Sequence, residues 1–219
     1  YEICACLVGS EMCIRDRVLG ELQPNKVFKY FEEICSIPHG SRNLQQISDY
    51  LVDFAKAHEL KYRQDESLNV IIWKDGTSGY ENSPAVILQG HIDMVAVKEE
   101  DCIKDMEKEG LDLEIQDGYL SAKQTSLGGD DGIAVAYSLA LLASTDIPHP
   151  PLEAVFTVDE EIGMLGAAAI DLSDLKGKIM LNMDSEDEGI FLAGCAGGAS
   201  VRCDIPVTKG TETGVRRTL

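Results

Sequence analysis

Basic residues are scarce in this 219-residue chain, where 19 Lys and Arg stand against 38 Asp and Glu for a formal charge of −19. A surface that negative repels phosphate backbones and anionic lipid, which argues against nucleic-acid or membrane partners. Long apolar runs are missing too, and the sheet-like segments fall far short of the ~20 residues that a membrane span needs. The sequence has no Gly-x-Ser-x-Gly elbow, no phosphate loop and no dinucleotide fingerprint, and none of its cysteines has a histidine nearby in a recognisable context. Serine-nucleophile, nucleotide-binding and thiol chemistries thereby lose their usual signatures. The seven cysteines are odd in number and lack a framework spacing, which points to a reduced, cytoplasmic setting. Cys4-Ala-Cys6 has no second pair to complete a soft-metal site, and Gly194-Cys195-Ala-Gly-Gly198 reads as a tight passage between segments. Internal repeats and low-complexity stretches are absent as well.

Helices are expected where apolar residues recur at helical spacing. Val27, Phe28, Phe31, Ile34 and Cys35 follow Pro24 in this way, and Ile37-Pro38 ends the run. A second helix, capped by Ser41 or Asn43, is expected through about Leu60, with His58 at its boundary. Asn69–Trp73, Ala85–Gln89, Leu152–Val158, Lys178–Met183 and Gly189–Ala193 read as strands, and Ile133–Ser144 and Ile162–Ile170 as helices. Helices alternating with apolar strands predict an α/β fold, a layered sheet with helices on both faces, largely parallel or mixed. Most acids, including Glu99-Glu100-Asp101 and most of the 105–117 stretch, read as solvated surface.

Four blocks escape that reading because their acids lie at the ends of apolar runs or at the start of a helix. In Val86–Asp93, His91 and Asp93 stand two apart after a strand and so face one side, where a ring nitrogen can bind metal and a carboxylate can orient the ring. In Ser126–Gly132, glycines let the backbone approach an ion, and Asp130 and Asp131 divide two roles, helix cap and metal bridge. In Val155–Gly163, Asp159, Glu160 and Glu161 form a run that like-charge repulsion disfavours unless cations neutralise it. One of the glutamates can bind metal while its neighbour takes a proton from water. In Ile179–Glu186, Asp184 closes an apolar strand, while Glu186, Asp187 and Glu188 read as solvated. Carboxylates with imidazole suit zinc, or manganese and cobalt, and a pair of such ions would activate water and polarise a carbonyl together.

On these residues the chain resembles the aminoacylhistidine dipeptidases, also called Xaa-His dipeptidases, of the di-zinc metallopeptidase, aminoacylase and carboxypeptidase clan. The likeness runs from about Pro24 to Gly198, through Cys35-Ser-Ile-Pro-His39, Gln89-Gly-His91-Ile-Asp93-Met-Val and Asp184-Ser-Glu-Asp-Glu-Gly with Gly194-Cys-Ala-Gly-Gly198. Gln124 and Asp131 depart from the family's usual Gly and Asn. The resemblance implies His91 and Asp184 as ligands of one metal, Asp130 as the bridging carboxylate and Glu161 as a ligand of the second. It implies Glu160 as general base and Asp93 as the group that steers His91, with Asp159 outside the ligand set. It further implies a late histidine and an inserted lid that supplies substrate and homodimer contacts, neither of which these 219 residues contain.

The expectation is therefore an N-terminal part of the catalytic domain over residues 18–198, with residues 199–219 leading towards the lid. Residues 1–17, which resemble translated sequencing-adapter sequence in part, are expected to be a non-native leader. The expected function is metal-dependent hydrolysis of small dipeptides, weak or absent in this chain by itself. A non-catalytic metal-binding fragment, and a hydrolase of acyl-amino acids or other small peptides, stand as alternatives.

Overall fold

A computed structural model describes residues 18–185, 189–194, 197–198 and 201–206. The expected leader, residues 1–17, and the acids Glu186, Asp187 and Glu188 lie outside the described residues, as does the polar stretch from Val207 onward. Contacts divide the chain into a unit ending at Ser185 and a second from Glu186 to Leu219.

The first unit contains helices α1 (Asn25–Cys35), α2 (Gln45–Ala57), α3 (Gly129–Leu142) and α4 (Leu165–Ala169). Its strands are β1 (Lys61–Gln64), β2 (Val70–Lys74), β3 (Val86–His91), β4 (Leu113–Gln116), β5 (Tyr119–Ala122), β6 (Leu152–Thr157) and β7 (Ile179–Asn182). Five strands form a sheet in the order β1-β2-β6-β3-β7, and β4 and β5 form a separate hairpin. The large sheet is mixed: β1 and β6 run antiparallel to β2, and β3 runs parallel to both β6 and β7. The parallel strands β6, β3 and β7 therefore all end at one edge of the sheet, where ligand sites of such folds gather.

Alternation along the strands sorts the side chains onto two faces. Val70, Ile72, Leu88, Leu152, Ala154 and Phe156 point to one face and share a core with Phe31, Ile34, Ile47, Leu51, Val135 and Leu139 of α1, α2 and α3. The opposite face, with Asn69, Ile87 and Glu153, meets α4 and the segment after it, through contacts to Gly166 and Gly177. The layered α/β expectation holds, with three longer helices on one face and a single short one on the other.

Several local expectations are corrected. Strand β1 and the hairpin add to the expected elements: Lys-Tyr-Arg-Gln carries no apolar alternation, and β4 lies within the 105–117 stretch, most of which reads as solvated charge. The hairpin had a legible signal in Asp117-Gly118, whose positive φ values of 53° and 83° suit a tight turn between strands. Helix α2 begins after Leu44 with no side-chain cap, because Asn43 Nδ2 donates to the Glu107 carbonyl and Ser41 is committed elsewhere. Helix α4 is shorter than expected because 159–164 forms a turn, in which the Glu160 carbonyl accepts the N–H groups of Gly163 and Met164. Gly189–Ala193 forms no strand; Phe191 and Leu192 are exposed, and no neighbouring strand offers them a ladder among the described residues. The described residues 201–206 are likewise outside any strand.

Candidate metal centre

The four sequence blocks meet at the edge where β6, β3 and β7 end. His91 is the last residue of β3 and is buried, with 1 % of its surface exposed. Helix α3 packs so closely against β3 that a Cβ at Gly90 would lie 2.9 Å from Asp131 Oδ2 and 3.0 Å from the Ala134 Cβ. Glycine at 90 is what lets the start of α3 bring Asp130 and Asp131 beside His91. Asp130 and Asp131 have non-helical backbone angles and make no side-chain cap, so the expected capping role falls to neither. Their carboxylates turn to the site instead. Asp130 Oδ1 lies 3.0 Å from His91 Nε2, and Asp131 Oδ2 accepts the His91 backbone N–H at 3.2 Å.

Asp93 is the hub of the centre. Its carbonyl lies 3.0 Å from His91 Nδ1, and its carboxylate Oδ1 lies 3.5 Å from the same nitrogen. The same carboxylate accepts the backbone N–H of Glu160 at 3.0 Å, that of Glu161 at 3.3 Å and the Ser41 hydroxyl at 2.8 Å. One buried group thus fixes the ring of His91 and the backbone of both glutamates. Asp159 faces away from this arrangement, with its Oδ1 accepting the Arg42 N–H at 2.7 Å. Glu160 Oε2 stands 3.9 Å from His91 Nε2.

Both ring nitrogens of His91 therefore look onto acceptors. Burial opposes its charge, but the bond to Asp93 and the charges of Asp131, Asp93 and Asp130 outweigh that and hold its pKa at about 10. The same crowding acts on the acids. Burial is the main reason that the Asp131 pKa rises to about 7, with Asp184 and Asp130 adding repulsion against the pull of His91. Glu161 is raised as well, first by burial and then by the charge of Asp130. Burial also opposes the charge of Asp93, yet the bonds from His91, Glu160 and Ser41 hold its carboxyl below the usual range. Acids pushed upward around a histidine with a charged ring mark a place that lacks positive charge, which is what a divalent cation supplies.

The ligand atoms gather as two groups that share His91. One comprises His91, Asp130 and Glu161, the other His91, Asp131 and Asp184, with the atoms of each group within 4.8 Å of one another. Imidazole with carboxylates is a donor set that zinc, manganese or cobalt accept, so the residues present fit a divalent ion. The structure thus brings Asp130, Glu161 and Asp184 together about His91, with Asp131 beside Asp184. Below the centre a polar row crosses three strands: Asn182 Nδ2 donates to Gln89 Oε1, and Gln89 Nε2 donates to Thr157 Oγ1 at 3.3 Å. Neither this row nor Ser41 was singled out as functional, since isolated polar residues in a sequence carry no sign of what they will face.

Over 180 residues, 82 % of its length, the chain is 40 % identical to the cytosol non-specific dipeptidase of Escherichia coli, of which the match covers 37 %. Over the aligned region the chain is similar to this dipeptidase. A solved structure of aminoacylhistidine dipeptidase from Vibrio alginolyticus superposes with a TM-score of 0.77 at 41 % identity, over 80 % of this chain and 36 % of that one. A tripeptidase from Staphylococcus aureus shares the fold at 23 % identity, with a TM-score of 0.62 over 74 % of this chain and 43 % of its own. No protein-family model matches. The chain spans little more than a third of the length of the dipeptidases it matches. These dipeptidases are hydrolases of peptide bonds, and His91, Asp130, Glu161 and Asp184 all lie among the described residues of this chain.

Proposed function

We propose that the protein to which this chain belongs is a cytosolic metallo-dipeptidase that hydrolyses small peptides of the Xaa-His type. The observation that carries this reading is the approach of Asp130 Oδ1 and Glu160 Oε2 to His91 Nε2, at 3.0 and 3.9 Å, where the parallel strands end. Its support is the 40 % identity with a cytosol dipeptidase and the likeness to an aminoacylhistidine dipeptidase structure.

In this reading His91 and Asp184 would hold one ion and Glu161 a second, with Asp130 shared between them, zinc being the first choice and manganese or cobalt substituting. Two such ions, when bound, polarise the scissile carbonyl and make water nucleophilic at neutral pH. Asp93 fixes the His91 ring by engaging Nδ1 through its carbonyl and carboxylate, so that Nε2 would be the nitrogen offered to an ion. Glu160 is the general base: its carboxylate takes a proton from the attacking water and returns it to the amine as the C–N bond breaks. Its backbone is pinned by Asp93, so its carboxylate meets the water from a fixed position. The longer protein is proposed to work as a homodimer through a lid domain outside these residues.

The test is metal-dependent hydrolysis of an Xaa-His dipeptide by the longer protein and its Glu160→Ala variant. Loss of a general base is expected to lower kcat roughly 10²–10⁴-fold. Wild-type turnover by the variant would sink the assignment of Glu160, and failure of added zinc, manganese or cobalt to support any hydrolysis would sink the metallopeptidase reading.

A further inference from the structure

We propose that Glu153, on the central strand β6, is a positioning residue for the metal centre, clamping the turn that feeds β7 and so setting the place of Asp184. The proposal rests on the reading of Asp184 as a metal ligand.

Glu153 is buried, with 3 % of its surface exposed, on the sheet face opposite the main core. A carboxylate in such a place is costly unless its oxygens are satisfied by donors. Here the donors are backbone groups of one turn: the Lys176 N–H reaches Oε1 at 2.9 Å and Oε2 at 3.0 Å, and the Gly177 N–H reaches Oε2 at 2.8 Å. Gly177 is built into this clamp. A Cβ there would come within 2.6 Å of Ile87 Cγ1 and 3.1 Å of Glu153 Oε2, so a side chain would push the turn off the carboxylate.

Among the described residues Ile179, Met180 and Leu181 are 56 %, 59 % and 47 % exposed, so within this segment β7 rests on backbone pairing and polar contacts. It is held by its ladder to β3, with Val86 opposite Ile179 and Gln89 opposite Asn182, and by two side-chain contacts. One is the Asn182 to Gln89 bond where β7 leaves the sheet, and the other is Glu153 where the chain enters it. A parallel ladder with exposed side chains on both faces specifies its register weakly. A one-residue slip would carry Asp184 away from His91 and Asp131. Glu153 removes that freedom by fixing Lys176 and Gly177 to the strand that also leads to Glu160 and Glu161.

The test compares the 219-residue chain with Glu153→Ala, Glu153→Gln and Gly177→Ala variants, each alone and combined with Asp184→Asn. Zinc affinity is read by competition with a chromophoric chelator, site geometry by the visible spectrum of bound cobalt, and strand order by hydrogen exchange at 179–182. Loss of a group that holds a metal ligand in place costs roughly 10–100-fold in metal affinity, and that loss is expected for Glu153→Ala together with an altered cobalt spectrum. Glu153→Gln, which keeps one carbonyl acceptor, is expected to recover part of the affinity. In the Asp184→Asn background the same substitutions are expected to change affinity little, a coupling that general destabilisation would not produce. If Glu153→Ala does not fold, Glu153→Gln and Gly177→Ala decide. Wild-type affinity and spectrum in the folded variants, or equal losses with and without Asp184, would overturn the role of Glu153 alone. Failure of the wild-type chain to bind zinc would overturn the metal-centre reading, and this role with it.

Discussion

Strands β6 and β7 both lead into the metal centre and both are apolar in sequence, Leu-Glu-Ala-Val-Phe-Thr and Ile-Met-Leu-Asn, yet they are held in different ways. Every residue of β6 is buried between β2 and β3, with helices packed on one face. Every residue of β7 is exposed, with no strand on its outer side among the described residues. The chain positions Glu160 and Glu161 from a strand anchored by its core, and Asp184 from a strand anchored by backbone pairing and two polar contacts. Apolar content therefore says that a segment will be a strand without saying how firmly it will hold a ligand.

The largest effect is expected where β6 meets the core. Phe156 is fully buried, and Phe156→Ala should cost about 3–5 kcal/mol, read as a fall in the denaturant midpoint of the isolated chain. A loss below about 1 kcal/mol would mean that β6 is not the firm strand of the pair. Asp93→Asn comes next. It turns an acceptor-only hub into an amide whose NH₂ faces donors, leaving His91, Glu160 and Glu161 poorly held, and zinc affinity should fall roughly 10–100-fold. Unchanged affinity would show that strand β6 alone fixes the glutamates.

A proton-linked effect follows. In the metal-free chain His91, at about 10 against an ordinary 6.5, contributes stability that is fully present below about pH 6.5 and is lost as pH rises through about 10. Asp131, raised from 3.8 to about 7, acts with the same sign: its contribution is complete below 3.8 and is lost through about 7. Metal binding must displace the His91 proton, so calorimetry at about pH 7.5 in buffers of different ionisation enthalpy should register release of about one proton. Release near zero would place the resting imidazole in its neutral form. The smallest effect is expected on β7. Leu181→Ala should change stability by no more than about 0.5 kcal/mol, as exposed positions do, and a loss like that of Phe156 would erase the contrast between the strands.

Much of this was legible in the sequence. The four ligand blocks could be read because an acid or histidine that ends an apolar run breaks the pattern where a parallel sheet places its sites. Strand β1 was not legible, because Lys61–Gln64 lies exposed at the edge and carries no apolar period. Ser41 and Asn43 look like helix caps from their residue type, and tertiary partners outcompeted that local role: Asp93 takes the Ser41 hydroxyl and Glu107 the Asn43 amide. Glu153 reads as one acid in an apolar strand, and only the turn folded over it explains its burial. Cys35 behaves as its setting suggests: burial, and then the charge of Glu32, push its thiol up to about 12, leaving it inert as a nucleophile.

The strand order also has a consequence for the way the protein is made. Strands β2 and β3 follow one another in sequence but never pair, because β6 lies between them, and β3 has its neighbours in β6 and β7. A chain growing from the ribosome thus carries His91 and Asp130 for many residues before Leu152–Thr157 arrives to give β3 a ladder. Through that interval the binding groups exist without a frame, and β3 gains its second neighbour only once Ile179–Asn182 has been synthesised.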